Sequence, residues 1–333
     1  MKAVDLHNHV FPQAAVDAIN RDGRGMMAKV VDKNGRPWIQ HDQGYVYPLE
    51  QEFHDPVAKA AVLDGYRVDV AVLSPAPPLF YYWAERDLAV RVARMVNDAV
   101  AEYAASNPAR YRPMASLPMP YPEDAVAELE RVVREHGVKG VILGTSVEGV
   151  NLADPRFRPV LKRCAELGVW ILAHPYYVGN KDGLQQYYLT NLVGNPVDTL
   201  MCGTHLIFGG VLEELPDLRV VLAHGGGLLP YLIGRLTHGH GVREEARVNT
   251  TTPPKDLLRR LYFDSILFDP DPLRYLVDVA GADRVVLGSD APFDMGDPDP
   301  RGTVERIAGI SQDHLAQVLG AGAASVLMDE KFA

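Results

Sequence analysis

Ala3-Val4-Asp5-Leu6-His7-Asn8-His9 decides how this chain is read, because its form returns three more times. The later copies are Val169-Trp170-Ile171-Leu172-Ala173-His174, Arg219-Val220-Val221-Leu222-Ala223-His224 and Arg284-Val285-Val286-Leu287-Gly288-Ser289-Asp290. Each is an apolar run that ends in a group able to bind a metal. A run of about five apolar residues without polar alternation reads as a parallel strand covered on both faces. In a closed barrel of such strands the C-terminal ends converge on one rim, so residues far apart in sequence become neighbours there. His7 and His9 are two apart and share one face of their strand. His174, His224 and Asp290 would close the shell from across the barrel.

The rest of the chain alternates in the same way. Strands are expected near 68–74, 111–117, 139–144, 169–174, 219–224, 261–266 and 284–290, which with the first run makes about eight. Leu88, Val92, Met95, Val96 and Ala99 recur at three- and four-residue spacing in 86–105, and Val126, Leu129 and Val133 do so in 123–136, as in amphipathic helices. Repeated β-then-α units point to an α/β fold, a (β/α)8 TIM barrel of the metal-dependent hydrolase type, with a doubly wound open sheet as the alternative. The ligands decide for the barrel. They come from the first, fifth, sixth and eighth strands, whereas an open sheet gathers its site at one switch point. The whole of 1–333 is expected to form a single domain. Two stretches are expected as insertions over the mouth: about 20–50, rich in Gly, Asp and Tyr, and 175–203, with Tyr176, Tyr177, Tyr187 and Tyr188.

Composition narrows the function. A chain of 333 residues that is 47% hydrophobic can bury one large core. Its net charge of -10 and lack of a concentrated basic surface argue against a nucleic-acid partner. Cys164 and Cys202 form no CxxC pair, so neither a disulfide framework nor a thiolate zinc site is expected, and a reducing cytoplasm is the natural setting. No signal-like leader and no membrane-length apolar run is seen, which predicts a protein without a membrane partner.

Neutral imidazole and carboxylate are the ligands that a zinc ion accepts when sulfur is absent, and three His with one Asp leave a position open for substrate. Any one of these histidines alone is as readily a core residue satisfied by a backbone partner. Their coincidence at four strand ends is what carries the metal reading. His41, His54, His136, His205 and His314 read as surface or packing residues, and His238 and His240 are left open.

At the level of motifs the chain resembles the amidohydrolase superfamily, in the branch typified by aminocarboxymuconate-semialdehyde decarboxylase. The residues that carry this are Asp5-Leu6-His7-Asn8-His9 with Phe11-Pro12, then Leu172-Ala173-His174-Pro175, Leu222-Ala223-His224-Gly225-Gly226-Gly227 and Gly288-Ser289-Asp290-Ala291-Pro292-Phe293. Leu117-Pro118-Met119, Gly209 to Pro216 and Gly234-Arg235-Leu236-Thr237-His238-Gly239 extend the likeness along nearly the whole chain. The resemblance implies that His7, His9, His174 and Asp290 hold one divalent ion, usually zinc and sometimes manganese, with His224 as the acid/base residue. The carboxylated lysine that bridges two metals in other members would stand at the end of the fourth strand. Here that strand reads Gly140-Val141-Ile142-Leu143-Gly144-Thr145, and Lys139 lies at its start, so one metal is expected.

The resemblance also implies non-oxidative decarboxylation of a small conjugated or aromatic carboxylic acid, with hydrolysis or hydration through a metal-activated water as the alternative. Asp290 would join the catalysis by taking a proton in the hydrolytic case. Arg235 matches a residue that reaches the substrate carboxylate of a neighbouring subunit, which implies a homodimer; a surface salt bridge is the plain alternative for this arginine. Phe293 is a second candidate for substrate contact. Where the branch has an arginine in its early insertion this chain has Tyr47, with Arg36 as the nearest replacement, and where it has a tryptophan in the second lid this chain has Asn191. Loss of a bidentate carboxylate clamp points away from the same dicarboxylate and towards a different aromatic or unsaturated acid.

Overall fold

Eight short parallel strands stand in a ring in chain order. The computed structural model describes residues 2–176 and 183–327, so Tyr177 lies outside the described residues. The first strand is Val4–Val10, the second Val70–Pro75 and the fourth Gly140–Gly144. The fifth is Trp170–His174, the sixth Val220–Leu222, the seventh Tyr262–Asp264 and the eighth Val285–Val286. The third is broken: Tyr111–Pro113 pairs with the second strand and Ala115–Ser116 with the fourth. Pro113 has no N–H to give to the ladder, and the break follows it.

Parallel pairing runs without interruption from the fourth strand through the fifth, sixth and seventh to the eighth. The ring then closes on the first strand. Leu6 N–H donates to Leu287 O at 2.9 Å and His9 N–H to Ala291 O at 2.8 Å, with Asn8 and Ala291 in a parallel bridge. The expected strands and the (β/α)8 TIM barrel are therefore both found. Parallel strands buried on both faces need apolar runs, and Val141, Ile142, Leu143, Ile171, Leu172, Val220, Val221 and Leu222 are all fully buried.

The helices expected from periodicity are Arg86–Ala105 and Pro122–His136, the latter burying Ala125, Leu129 and Val132 against the barrel. It ends at Gly137, whose φ of 63° is the left-handed turn that closes a helix C-terminus. Among the described residues no helix is long and apolar enough to cross a membrane.

Residues 20–50 contain a three-stranded antiparallel sheet of Ala28–Lys33, Arg36–His41 and Val46–Pro48. It rests on residues that follow the second strand: Tyr81 donates to Met26 O at 2.9 Å, and His41 stacks near the Tyr81 and Trp83 rings. The sheet thus lies on the C-terminal rim. The 175–203 stretch is less loop-like than its length implies. Helical turns begin at Thr190 and lead into the helix Asn195–Phe208, with Pro196 in its first turn, where the missing N–H costs nothing.

Gly140 shows how tightly the barrel is filled. It pairs with Trp170, and a Cβ built on it would lie 2.5 Å from the buried indole. Gly140→Ala is expected to destabilise the protein by about 1–3 kcal/mol through overpacking, read as a lower urea midpoint. The metal content should not change; an unchanged midpoint would show that the indole relaxes freely.

Candidate metal centre

Four ligand atoms meet at the C-terminal rim. One atom each from His7, His9, His174 and Asp290 lies within 4.8 Å of all the others, and all four residues are buried. His7 Nε2 and His9 Nε2 are 3.0 Å apart. Asp290 Oδ1 stands 2.9 Å from His9 Nε2, 3.4 Å from His7 Nε2 and 4.0 Å from His174 Nε2. Ligands at zinc distances in a tetrahedron sit about 3.4 Å from one another, so these separations bracket the required spacing.

The proton positions fit an ion as well. His174 Nδ1 donates to Pro175 O at 2.8 Å, and a carbonyl can only accept, so the lone pair of a neutral ring is on Nε2. Ser74 Oγ donates to Asn8 O at 3.1 Å and therefore accepts from His9 Nδ1 at 2.9 Å. His7 Nδ1 donates to Asp264 Oδ2 at 2.6 Å. Three Nε2 lone pairs are thus turned inward, and His174 Nε2 and Asp290 Oδ1 are buried without a hydrogen-bond partner. That is a cradle for a cation.

The electrostatics agree. Burial holds His9 down at about 4 and His174 well below the usual imidazole value, so both stay neutral and able to ligate. Burial also opposes a charge on His7, but Asp290 and Asp264 outweigh it and raise its pKa to about 10. Burial likewise opposes ionisation of Asp290, yet the neighbouring imidazoles, His7 foremost, hold it well below the carboxylate range. The cluster favours one positive charge at its centre.

His224 stands beside the four. Its Nε2 is 3.4 Å from Asp290 Oδ2, and its ring centroid is 5.2 Å from that of His174. It takes a left-handed φ of 54°, as does Asp290 at 61°. Such strain persists only when neighbours enforce it. For His224 the enforcing group is Asp264, which accepts from the His224 N–H at 2.8 Å and from the Gly225 N–H at 2.8 Å while also binding His7.

Sequence reasoning passed over Asp264, although Leu261-Tyr262-Phe263-Asp264 repeats the apolar-run-then-ligand form of the other four. Its carboxylate points at the ligands' supports, not at their lone pairs. Lys59 was passed over too: it is fully buried, and burial lowers its pKa to about 7.

A cavity of about 510 Å³ opens over the cluster, lined by His224, Asp290, Asn191, Leu192, Leu228, Ile266 and Phe268 among others. Among the described residues its wall carries no arginine or lysine. Arg235 is not brought there; it is exposed on the helix Leu229–Val242. Phe293 is half-buried, its ring 5.2 Å from His9 and 5.1 Å from Phe53. Arg36 sits at the exposed hairpin turn, paired with Lys33, so it replaces no carboxylate clamp in this chain's own cavity. Tyr47 packs on Phe11 and hydrogen-bonds His41.

The amidohydrolase family profile matches residues 4–327. The chain is 34% identical over 327 residues to 2-amino-3-carboxymuconate-6-semialdehyde decarboxylase of Dictyostelium discoideum, covering 97% of this chain and 91% of that one. Among solved structures, Metarhizium anisopliae IDCase in apo form superposes with a TM-score of 0.84 at 25% identity, covering 100% of this chain and 98% of that one. A dihydroxybenzoic acid decarboxylase from a Polaromonas species, solved with bound manganese and the inhibitor 2-nitroresorcinol, has a TM-score of 0.81 at 22% identity, covering 98% and 97%.

Because Asp264 fixes His7, Asp264→Asn is expected to weaken divalent-ion binding about 10- to 100-fold in a chelator competition, with the far-UV circular dichroism retained. Wild-type affinity in that variant would remove Asp264 from the support of the site.

Proposed function

The chain belongs to the amidohydrolase family, and from that premise we propose that it is a metal-dependent non-oxidative decarboxylase, a carbon–carbon lyase acting on a small conjugated or aromatic carboxylic acid. The observation that carries this is the position of His224, an imidazole that lines the cavity beside the four-ligand cluster. Decarboxylation asks for a fixed carboxylate, a conjugated system to hold the electron pair left behind, and one proton. His7, His9, His174 and Asp290 would hold the ion. When bound, it supplies a Lewis acid that anchors the substrate's oxygens and draws off developing negative charge.

The remaining work falls to side chains. Leu192, Leu228, Ile266 and Phe268 offer apolar surface to an unsaturated or aromatic ring, and a bound ring would displace water from them. The bond to the carboxyl carbon breaks, CO2 leaves, and the electron pair stays on the ring carbon. His224 then gives its proton to that carbon, which an imidazole can do near neutral pH. Phe293 would confine the substrate through the His9 ring against which it packs. Zinc is our choice of ion, supported by three imidazoles and a carboxylate; manganese is its competitor, being the ion bound in the Polaromonas structure.

We also infer a homodimer. The helix that carries Arg235 exposes Tyr231 and Val242, at 74% and 61%, and Tyr275 beside Tyr231 is 43% exposed. Such apolar exposure on a helix that starts directly after the cavity residue Leu228 favours a partner surface. An Arg235 from the neighbouring subunit would supply the carboxylate clamp that the cavity wall lacks. One domain in the cytoplasm is our reading of the chain, supported by the two buried free cysteines.

His224→Ala is expected to lower CO2 release about 100-fold or more while the ion stays bound. Loss of ion in step with activity would make His224 a ligand. For the dimer, mixing Arg235→Ala chains with His224→Ala chains is expected to restore part of the activity, since one of the two hybrid sites keeps both groups. Hybrids of confirmed mass without activity would place Arg235 outside the shared site.

A further inference from the structure

Lys59 is fully buried, yet it touches neither the cavity nor the four ligand atoms. It lies on the helix Pro56–Gly65, whose start is fixed by Asp55 accepting from the Val57 and Ala58 N–H groups. From there its Nζ donates to Asn8 Oδ1 at 2.8 Å and to His9 O at 2.8 Å.

Those two contacts begin a chain of hydrogen bonds that ends at Ser289, the residue before Asp290. The ammonium can only donate, so it fixes the orientation of the Asn8 amide, whose Nδ2 then donates to Asp5 Oδ2 at 2.9 Å and to Ser289 Oγ at 3.2 Å. Ser289 Oγ donates in turn to Asp5 Oδ2 at 2.5 Å, and Asp5 Oδ1 accepts from the N–H groups of Ser289 at 3.1 Å and His7 at 3.0 Å. Ser289 is the residue before Asp290, which is held at a φ of 61°. Each ligand of the first and eighth strands therefore has a backbone neighbour in this network: His7 through its own amide, His9 through its carbonyl and Asp290 through Ser289.

We propose that Lys59 is a positioning residue for the metal site, setting the spacing between the His7–His9 pair and Asp290 through Asn8, Asp5 and Ser289. The proposal rests on the four residues holding an ion. An apolar side chain of similar length would fill the same space without the desolvation penalty of a buried ammonium. What Lys59 adds is a second anchor: Asp5 and Ser289 hold the Nδ2 end of the Asn8 amide, and Nζ holds its Oδ1 end together with the His9 carbonyl. A network that is fully satisfied specifies one arrangement of the strand ends, and a half-satisfied one does not.

The test is the visible absorption spectrum and chelator-competition affinity of the cobalt(II)-substituted protein for wild type, Lys59→Met, Lys59→Arg and Ser289→Ala. Lys59→Met is expected to bind cobalt about 10- to 100-fold more weakly and to show altered ligand-field bands, with Lys59→Arg restoring both towards wild type. A purely structural role would lower stability and leave the bands of the folded fraction unchanged, and that result overturns the proposal. If Lys59→Met does not fold, Ser289→Ala decides: altered bands with a smaller loss of affinity support the network, and wild-type bands overturn it. A wild-type protein that binds no cobalt would instead overturn the metal reading itself.

Discussion

Three imidazole lone pairs and one carboxylate oxygen, all on buried residues, are packed within 4.8 Å of one another. Without a cation between them such groups repel, and burying them unpaired is among the most costly arrangements a protein interior can contain. With a cation they become the strongest local interaction in the molecule. The surrounding structure is organised to turn those lone pairs inward. Pro175 O, Ser74 Oγ and the Asp264 carboxylate each take the proton of a different Nδ1. None of the three is itself a ligand, and each comes from a different strand end.

Barrel closure is what makes this possible. His9 N–H on Ala291 O and Asp290 N–H on His7 O, both at 2.8 Å, are at once the seam of the ring and the clamp on two ligands. The strained residues sit at the same places. His224 at a φ of 54° and Asp290 at 61° both follow directly on the apolar runs, where the chain turns out of the barrel. After His224 the three glycines 225–227 continue in the left-handed region, and a Cβ on Gly227 would lie 2.0 Å from Pro196 O. The helix that begins near Pro196 is thus seated against the turn that carries His224, which joins the wall of the cavity to the imidazole proposed as its proton donor.

The fold was legible in the sequence because a double-covered parallel strand has to be apolar throughout, and a ligand at its end is a break in that pattern. His174, His224 and Asp290 stand out in this way, and so do the eight strands. The supporting residues were harder to see. Asp264 ends a run of the same kind, but carboxylates at strand ends are common and only its geometry shows that it binds His7 and the His224 turn together. Lys59 lies in a helix whose sequence, Pro56-Val57-Ala58-Lys59-Ala60, reads as an exposed first turn. Its burial depends on where the helix docks, which is a tertiary fact. Arg36 shows the opposite error, since nearness in sequence suggested a substrate contact and the hairpin carries it into solvent.

The cavity's chemistry narrows the substrate further. Its ionisable groups are His224 and Asp290, Asn191 and Asn195 add neutral amides, and Leu192, Leu228, Ile266 and Phe268 are among the apolar side chains that line the rest. Charge in a low-dielectric wall is stabilised only where an opposite charge or donor is placed. A ligand with one carboxylate can meet that demand by turning the group towards the ion. Among the described residues no cation lines the wall, so a second carboxylate would there meet Asn191, Asn195 or an apolar side chain. Unless the neighbouring subunit's arginine enters, a dicarboxylate is left with one charge unpaired. Under the proposed decarboxylation an acid whose remaining substituents are neutral is therefore the better match, and a flat conjugated ring would serve two needs at once, filling the apolar walls and holding the electron pair until the proposed proton donor, His224, acts.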